Sequence, residues 1–446
     1  MKIILLSGGS GRRLWPLSNE TRSKQFLKLL KRPDGELESM VQRIGRQIDE
    51  SGIDAEIIVA TSASQYDLIV GQLGRKVDVV TEPERRDTFP AIALSASYLI
   101  KEKRCDMDEV VVVMPSDSYI ESGYFETIAK MAKAVERGDA EMVLMGITPT
   151  EPSTKFGYIV PMADQSSEVK MVERFTEKPD AERAKELLEV GAVWNGGVFA
   201  FKLGYIASII DRYIVADSFA EVRSRYSEFK KISFDYEVVE AAQSIAFVPY
   251  SGVWSDLGTW NSLSERIEDS VMGCVTTDGD CLNSHIINEL DMPLICLGAK
   301  DLIVAASPDG ILVSGKESSV ELKGYADSLK ARPMYEERRW GTYRVMGNEH
   351  FDDGYHALTK HLYLKTGCNI SYQYHNLREE IWTFVDGEGL LVLDGEVIEV
   401  SRGYVVHINA GQKHAVKALT DLQIIEVQTG TNLVEEDIIR LDWEWN

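Results

Sequence analysis

Short apolar runs rich in β-branched residues alternate with amphipathic, helical-looking stretches along residues 1–262 of this 446-residue chain. The runs read KIILLS, AEIIVA, VDVVTE, EVVVVMPSD and EMVLMGIT. Parallel strands need crossover connections and are buried on both faces, so this alternation predicts an α/β domain with a Rossmann-like, mostly parallel sheet. Ligands of such sheets bind beyond the carboxyl ends of the strands, which directs attention to the residues that follow each run.

The pattern changes twice further along the chain. Over residues 263–329 the apolar runs are short and closely spaced, which predicts a small β-rich connector, a β-helix being one form it can take, and a helix in ESSVELKGYADSL. Over residues 330–446, HLYLK, IWTFVDGEGLLVLDGEVIEV and LQIIEVQTG alternate around glycine-containing turns, which predicts an antiparallel barrel or sandwich. Three domains are therefore expected, at 1–262, 263–329 and 330–446.

Charge and apolar content exclude several classes of function. With 71 acidic and 48 basic residues, the formal net charge is −23, which repels a nucleic-acid backbone. No apolar run approaches the ~20 residues of a membrane span, and KIILLSGG is too short for a signal peptide. We therefore expect no nucleic-acid or membrane partner and a cytoplasmic location. Five cysteines without a C-x-x-C pair indicate reduced thiols.

The stretch LSGGSGRRLWPLS, residues 6–18, places a glycine-rich turn directly after the first apolar run. Such a turn lets backbone N–H groups approach phosphate oxygens, because glycine has no Cβ. It lacks the third glycine of the dinucleotide fingerprint, where Leu14 stands, and the Lys-Ser/Thr pair of the Walker pattern, where Arg12 and Arg13 stand. A surface turn without a ligand is the alternative. Arg13 and Lys24 favour a phosphate site, because fixed cations there suit a leaving pyrophosphate.

The residues around this turn resemble a known family. GGSGRRLWPLSNETRSKQFL is similar to the signature of sugar-1-phosphate nucleotidyltransferases, and Trp15 followed by KQFL resembles the form in mannose-1-phosphate guanylyltransferases. Further matches follow in chain order: EPERRDTFPAIAL, MPSD, GITPT, FTEKP, WNGGVFAF, FDYEVVE and WSDLGTW. The chain departs from the family at Arg12, Ser118 and Gly196, where threonine, histidine and serine are usual.

The resemblance implies roles for the matching residues. Asp117 and Asp256 fall at the positions of the family's metal-binding aspartates, and Mg²⁺ is the implied cofactor, since it prefers oxygen ligands. The implied catalytic residues are Arg13, Lys24, Asp117, Lys178 and Asp256; the implied nucleotide-binding residues are Gly8, Gly9, Gly11, Glu82 and Pro83; the implied substrate-binding residues are Gly157, Glu177, Asn195 and Arg378. Taken singly, such residues also have ordinary explanations, including capping carboxylates, surface ion pairs and, for Arg85 and Arg86, solvated charges.

The implied reaction transfers GMP from GTP to α-D-mannose 1-phosphate, with release of pyrophosphate. GTP and mannose 1-phosphate are thus the expected partners, and a homodimer is a further expectation. A carboxylate such as Glu82 can accept from guanine N1–H and the 2-amino group, which adenine cannot match. The choice of guanine itself rests on the resemblance.

Six of the seven histidines lie at or beyond residue 350, which makes that region the place to expect a transition metal. QYHNLREEIW puts Gln373 and His375 on one face of a strand, with Glu380 beyond a turn, and INAGQKHAV brings His414 after another turn. A single histidine on a strand is usually just a satisfied polar residue, which is the expectation for three others: His356, His361 and His407.

These stretches resemble the cupin domain of type II phosphomannose isomerases, which is fused to the guanylyltransferase in bifunctional enzymes. RRWGTYRV and EVQTG match as well, so the resemblance covers nearly the entire chain. It implies a C-terminal cupin β-barrel in which four residues hold Zn²⁺ or another divalent metal: Gln373, His375, Glu380 and His414. Arg378 matches an arginine needed for isomerisation. The family commonly has histidine, a proton-transfer or supporting group, at three positions that differ here: Asn376, Leu377 and Ile381.

Three functions stay open at this point. The first is a Mg²⁺-dependent mannose-1-phosphate guanylyltransferase, or a related enzyme with another sugar or base. The second is a mannose-6-phosphate isomerase in the barrel, either added to the transferase or in place of it. The third is a sugar-nucleotide sensor or assembly subunit on an inactive scaffold, against which the intact Arg13, Asp117, Lys178 and Asp256 argue.

Overall fold

The computed structural model of the chain describes residues 1–9, 11–121, 123–163, 167–329, 332–434 and 437–445. These residues form two compact units, Met1–Arg13 with Ser23–Glu268 and Leu14–Arg22 with Asp269–Asn446. The predicted start of the third domain, residue 330, lies outside the described residues. Across these ranges, no helix is long and apolar enough to cross a bilayer.

The first unit combines strands and helices in the predicted alternation. Its strands are β1 (Lys2–Ser7), β2 (Leu30–Lys31), β3 (Leu37–Glu38), β4 (Glu56–Ser62), β5 (Asp78–Glu82), β6 (Val110–Pro115), β7 (Ser118–Ile120), β8 (Met142–Ile147), β9 (Tyr158–Pro161), β10 (Lys170–Thr176), β11 (Val193–Lys202), β12 (Ile245–Tyr250) and β13 (Trp254–Asp256). Its helices are α1 (Met40–Glu50), α2 (Tyr66–Leu73), α3 (Thr88–Lys101), α4 (Gly123–Arg137), α5 (Ala181–Glu189), α6 (Leu203–Ile210), α7 (Phe219–Ser224) and α8 (Trp260–Ser264), with a π-helical turn at Asp235–Val239.

Nine strands of this unit form one sheet, in the order β5-β4-β1-β6-β11-β8-β12-β10-β9. The sheet has a core on each face, because successive side chains of a strand point to opposite sides. Ile3 and Leu5 of β1 pack into one core, and Ile4 packs into the other. Burial on both faces explains why these strands are continuous apolar runs.

The sheet is parallel over β5-β4-β1-β6 and mixed beyond it. β11 lies antiparallel between β6 and β8, and β9 and β10 pair as an antiparallel ribbon. The parallel part sends the carboxyl ends of β1, β5 and β6 to the same edge. The glycine-rich turn, Glu82 and Asp117 follow these ends, as the strand pattern predicts.

Helix α1 shows how local sequence fixes an element next to this edge. Ser39 Oγ accepts a hydrogen bond from Gln42 N over 3.2 Å, and Gln42 Oε1 accepts one from Ser39 N over 3.1 Å. This reciprocal capping satisfies two backbone donors at the helix start.

From Asp269 onward, the second unit starts with a connector of short strands, β14 (Val271–Gly273), β15 (Val275–Thr277), β16 (His285–Asn288), β17 (Leu294–Cys296), β18 (Leu302–Ser307) and β19 (Gly310–Gly315). β14, β16 and β18 pair in parallel, as do β15 and β17, without helices between them. Stacked coils of a β-helix give this arrangement, which removes the need for helical crossovers. A 3₁₀ turn (Glu317–Glu321) and helix α9 (Leu322–Ser328) follow, within the stretch predicted as helical.

The rest of this unit is antiparallel. Its strands are β20 (Tyr335–Arg338), β21 (Gly341–His350), β22 (His356–Leu364), β23 (Asn369–Tyr374), β24 (Arg378–Asp386), β25 (Glu388–Leu393), β26 (Glu396–Ser401), β27 (Val405–Ile408), β28 (His414–Ala418), β29 (Leu422–Gly430) and β30 (Ile439–Arg440). They form two sheets, β20-β21-β22-β29-β24-β27 and β26-β25-β28-β23-β30, around an apolar core that includes Trp382 and Phe384. The predicted cupin-type barrel is present.

Candidate active site

Two aspartates from distant parts of the chain meet at the edge of the first sheet. Asp117 precedes β7, Asp256 ends β13, and these two strands pair antiparallel with Asp256 opposite Ser118. Lys24 Nζ lies 2.9 Å from Asp117 Oδ2 and 2.8 Å from Asp256 Oδ1. Both carboxylates therefore reach a single cation.

The charge of Lys24 is stabilised by this position. Burial alone would lower the pKa of Lys24, but the charges of Asp117 and Asp256 outweigh burial and raise it. Two carboxylates converging on one cationic atom are also the oxygen ligands that Mg²⁺ prefers. The pair fits the divalent cation that the sequence implies.

The glycine-rich turn opens onto a cavity of about 310 Å³ whose lining includes Gly8, Gly9, Glu82 and Asp117. The carbonyl oxygen of Gly9 accepts hydrogen bonds from Ser23 Oγ at 2.7 Å and Gln65 Nε2 at 3.2 Å. These two hydrogen bonds hold the backbone of the turn in place.

The other two predicted nucleotide-binding residues, Gly11 and Pro83, do not line this cavity. Gly11 has a φ of +60°, the left-handed region that favours glycine. Arg85 and Arg86 line the cavity, and Arg86 Nε also donates to the carbonyl of Phe229 at 3.1 Å. Pro83 follows β5 at an exposed position.

Glu82 is held by a residue that sequence reasoning missed. Its side chain is buried, Tyr226 Oη donates to Oε2 over 2.7 Å, and Oε1 faces Gly8, where an added Cβ would lie 3.5 Å away. Burial raises the pKa of Glu82, and the hydrogen bond from Tyr226 acts in the opposite direction. Glu82 is thus a fixed acceptor at the cavity wall.

Arg13 lies near Asp256, one of the two converging aspartates. A Cβ at Gly258 would lie 2.9 Å from Asp256 Oδ2 and 3.3 Å from Arg13 Nη1, so both side chains approach the backbone there. Arg13 itself is exposed. A guanidinium in this position can meet a phosphate group that enters from solvent.

A second cluster joins four predicted residues with Asp235, which sequence reasoning did not single out. Asn195 Nδ2 donates to Asp235 Oδ1 over 2.6 Å, and Asn195 N donates to the carbonyl of Gly157 over 2.8 Å. Lys178 Nζ lies 2.5 Å from Glu177 Oε1. A Cβ at Gly157 would overlap Glu177 Oε2, so this close approach requires glycine.

Two acidic side chains of this cluster are largely buried. Glu177 Oε2 is buried and, among the described residues, has no hydrogen-bond donor. Burial and the charge of Glu177 raise the pKa of Asp235 to about 6. An unpaired buried acceptor is costly, and a hydroxyl-bearing ligand would remove that cost.

Three aromatic rings link this cluster to the strand of Asp256. The ring centroids of Phe156 and Trp194 are 4.9 Å apart, those of Phe156 and Trp254 are 5.1 Å apart, and those of Trp194 and Trp254 are 6.4 Å apart. Phe156 precedes Gly157, and Trp254 lies two residues before Asp256. Packing of these rings fixes the two parts of the site relative to each other.

The barrel holds a buried group with metal-binding geometry. Ligand atoms of His375, Glu380 and His414 lie within 4.8 Å of one another. His375 Nε2 is 3.2 Å from Glu380 Oε1, and His414 Nε2 is 3.5 Å from Glu380 Oε2.

The protonation of this group suits a cation. His414 Nδ1 donates to the carbonyl of Gln412 over 3.0 Å, which leaves the lone pair of Nε2 facing Glu380. Burial lowers the pKa of His414, which favours the neutral ring that binds metals. Burial alone would raise the pKa of Glu380, but His375, His414 and Arg378 outweigh it and lower the pKa.

Two further predicted residues flank these three. Gln373 on β23 lies opposite His414 on β28, and its Oε1 accepts from Ser371 Oγ over 3.0 Å. Arg378 is buried and donates from Nε to Glu380 Oε1 over 2.9 Å and from Nη1 to the carbonyl of Val434 over 3.0 Å. Arg378 therefore orients the carboxylate.

Two of the three positions that lack the expected histidine lie away from this group. The side chain of Leu377 is 50% exposed and that of Ile381 is 38% exposed. The backbone N–H groups of Asn376 and Leu377 donate to the carboxylate of Asp437, each over 3.0 Å. The departures at Leu377 and Ile381 thus leave the buried group of His375, Glu380 and His414 intact.

The remaining barrel histidines have local partners, as expected. His361 Nε2 lies 3.1 Å from Gln423 Oε1, and His407 Nε2 lies 3.1 Å from Glu379 Oε2. The rings of His350 and His356 pack edge to face with centroids 4.1 Å apart.

Comparisons with known proteins agree with the fold of both parts of the chain. Residues 2–271 match the nucleotidyl transferase family, and residues 328–443 match the mannose-6-phosphate isomerase C-terminal family. The xanthan biosynthesis protein XanB of Xanthomonas campestris pv. campestris strain B100 is 31% identical, over 98% of this chain and 97% of that protein. A mannose-1-phosphate guanylyltransferase of Salmonella montevideo is 31% identical, over 98% of each chain.

A solved structure supports the same assignment. The crystal structure described as mannose-1-phosphate geranyltransferase from Thermus thermophilus is 26% identical and superposes with a TM-score of 0.59, covering 74% of this chain and 99% of that chain. The chain therefore belongs to the nucleotidyl transferase family and, within it, to the mannose-1-phosphate guanylyltransferases that carry a C-terminal mannose-6-phosphate isomerase domain.

Proposed function

We propose that the first unit transfers GMP from GTP to α-D-mannose 1-phosphate, releasing pyrophosphate. The observation that carries this proposal is the meeting of Asp117 and Asp256 on one cationic atom beside the cavity of the glycine-rich turn. Two anionic substrates must approach each other for this reaction, and positioning and neutralisation of charge dominate such transfers.

The nucleotide is assigned to the 310 Å³ cavity. Backbone groups of Gly8, Gly9 and Gly11 face its phosphates, and Glu82 accepts from guanine N1–H and the 2-amino group. Tyr226 holds that carboxylate in place. Adenine would leave the buried carboxylate without its donors, which supports a preference for GTP.

The sugar phosphate is assigned to the cluster around Asn195. Lys178 contacts its phosphate, and Glu177 and Asn195 receive its hydroxyl groups, since Glu177 Oε2 has a free acceptor position among the described residues. An oxygen of the sugar phosphate then attacks the α-phosphorus of GTP in line, and the bond to the leaving pyrophosphate breaks. Arg13 and Lys24 stabilise the negative charge of that leaving group.

Asp117 and Asp256 would hold Mg²⁺, which supplies charge neutralisation between the two phosphates when bound. Lys24 contacts both carboxylates in this structure. With Mg²⁺ bound, its ammonium group would instead contact the leaving pyrophosphate.

A panel of nucleoside triphosphates and sugar 1-phosphates, followed by pyrophosphate release with magnesium, tests this proposal. GTP with mannose 1-phosphate should give the highest kcat/KM, and Asp117→Ala should abolish release. A preference for ATP or dTTP with glucose 1-phosphate would assign the chain to a sister activity. Absence of turnover with every pair would favour a sensor.

The buried group in the barrel favours a second activity. We propose that His375, Glu380 and His414, with Gln373, bind Zn²⁺ or another divalent metal and that the barrel interconverts mannose 6-phosphate and fructose 6-phosphate. The metal would polarise the sugar carbonyl when bound. Arg378 fixes the carboxylate and adds positive charge where a phosphorylated sugar must bind. A coupled isomerase assay tests this proposal, and Asp117→Ala should leave its rate unchanged.

A further inference from the structure

A second cavity in the first unit lies outside the site described above. We call it the arginine cavity. It has a volume of about 500 Å³ and lies among residues 30–33, helix α1, strand β7 and residues 266–268. Among the described residues its lining shares none with the cavity of the glycine-rich turn.

The arginine cavity concentrates positive charge in an acidic chain. Its lining contains five basic residues, Lys31, Arg32, Arg43, Arg46 and Arg266, and three acidic residues, Glu50, Glu121 and Glu268. The formal net charge of the whole chain is −23. An anion that avoids most of this surface would find a favourable potential here.

Four of these five basic residues pair with carboxylates of the protein. The buried Glu38 pairs with Arg46 at 2.7 Å and with Arg43 at 3.3 Å. Lys31 lies 4.0 Å from Glu268, and Arg32 lies 3.1 Å from Asp34. Arg266 forms no ion pair within the part of the chain that the structure describes. The guanidinium carbons of Arg43 and Arg266 lie 4.7 and 5.3 Å from the centroid of the Tyr119 ring.

The lining also contains buried polar atoms without partners. Among the described residues, the Nε atoms of Arg43 and Arg266 have no acceptor. Gln47 is 9% exposed, donates from Nε2 to the carbonyl of Ile120 over 3.2 Å, and leaves Oε1 without a donor. Unsatisfied buried groups are uncommon in proteins, and a bound ligand is one explanation.

These atoms define the chemistry of a ligand. Two guanidinium N–H donors beside an aromatic ring suit a phosphate group, and an amide oxygen suits a hydroxyl donor. The volume matches that of small-molecule sites, about 300–1,000 Å³, and exceeds what inorganic phosphate fills. We propose that the arginine cavity binds a small organic phosphate that carries hydroxyl groups, either a sugar phosphate or a nucleotide.

The position of the cavity connects it to the catalytic aspartates. Tyr119 is the central residue of β7 and lies opposite Ser255 of β13. Asp117 precedes the first of these strands and Asp256 ends the second. A ligand that shifts Tyr119 therefore shifts the strand pair that holds both aspartates. If the ligand has a higher affinity for one of two conformations of this strand pair, it changes the rate of transfer.

Calorimetric titration of the full chain tests binding without turnover. The probes are mannose 6-phosphate and GDP, which distinguish a sugar phosphate from a nucleotide, with inorganic phosphate as a third arm. Arg266→Ala should weaken one binding event roughly 10- to 100-fold, the loss expected for a hydrogen bond to a charged group. Arg137→Ala removes an exposed arginine elsewhere in the unit and should change nothing.

Gln47→Met separates ligand recognition from folding. The substitution keeps the shape of the side chain and the positive charge of the cavity. It should lower the affinity for the organic phosphate and leave the affinity for inorganic phosphate unchanged. If no probe shows a binding event that Arg266→Ala weakens and Arg137→Ala keeps, the proposed site is wrong, whatever activity the first unit has.

Kinetics test the connection to the aspartates. The probe that binds should change the rate of pyrophosphate release without competing with GTP, and Arg266→Ala should remove this effect. An effect that persists in Arg266→Ala would show that the probe acts at the catalytic site instead.

Discussion

Replacement of Asp235 by asparagine removes a buried charge while keeping the shape of the side chain and an acceptor for Asn195 Nδ2. In the folded chain the pKa of Asp235 is about 6, against an ordinary value of 3.8, because burial and the charge of Glu177 disfavour the carboxylate. The folded chain therefore binds this proton more tightly than the unfolded chain does. Stability contributed by the neutral acid is lost as the pH rises through this range.

The size of the effect follows from the two pKa values. Their difference corresponds to about 3 kcal/mol of destabilisation once the group is fully ionised, and about half of it develops between about pH 5 and pH 7.5. Asp235→Asn does not ionise and escapes this penalty. For a unit of this size, the half that develops in that window corresponds to a rise of about 3–6 °C in the melting temperature of the variant relative to the wild type.

Scanning calorimetry at several pH values measures this difference. The transition of the first unit can be assigned by its shift on adding GTP, since a ligand raises the melting temperature of the unit that binds it. Asp211→Asn, at an exposed position of the same unit, serves as the matched control. A melting-temperature difference between Asp235→Asn and the wild type that is equal at pH 5 and pH 7.5, or that has the opposite sign, would refute the reasoning.

Three further changes probe separate parts of the two clusters. Gly157→Ala brings a Cβ against Glu177 and should raise the KM for mannose 1-phosphate at least tenfold with the KM for GTP unchanged, whereas Gly71→Ala, which has open space around it, should be neutral in the same steady-state assay. Tyr226→Phe leaves Glu82 without its donor and should raise the KM for GTP about tenfold; an unchanged KM would remove Glu82 from the base site. His414→Ala should lose about one metal equivalent per chain by mass spectrometry and keep full pyrophosphate release; retained metal would contradict the proposed ligand set.

The parallel character of the first strands and the edge of the sheet that carries the candidate site could be predicted from the sequence. Apolar runs buried on both faces indicate parallel strands, and the residues that end them, Glu82 and Asp117, therefore lie at one edge. Asp256 could be assigned only through the family resemblance. It reaches Asp117 by the pairing of two three-residue strands, which have too few residues to show a period.

Residues that support the site from a distance could not be predicted. Tyr226 lies 144 positions from Glu82, and Asp235 lies 40 positions from Asn195, so no local pattern joins either pair. The insertion of β11 between β6 and β8 also depends on tertiary packing, because antiparallel and parallel buried strands share the same apolar composition. Gly157 was assigned through the family resemblance alone, and its close approach to Glu177 is visible only in the structure.

In the barrel, the candidate metal-binding residues could be named from the sequence, but the effect of the departures from the family pattern could not. His375, Glu380 and His414 were identifiable from their spacing around turns. Whether Leu377 and Ile381 matter depends on which way their side chains point. Only the structure shows that both are substantially exposed.

The central claim is that Asp117 and Asp256 act together on one divalent cation during transfer. The rate of pyrophosphate release from GTP and mannose 1-phosphate, measured across magnesium concentrations for Asp117→Asn, Asp256→Asn and the double variant, tests it most directly. If the two aspartates share one cation, each single substitution should lower the rate of pyrophosphate release nearly as much as the double substitution does, because either one disrupts the same site. If the two losses multiply instead, or if either single variant keeps the wild-type magnesium dependence, the aspartates act independently and the claim fails.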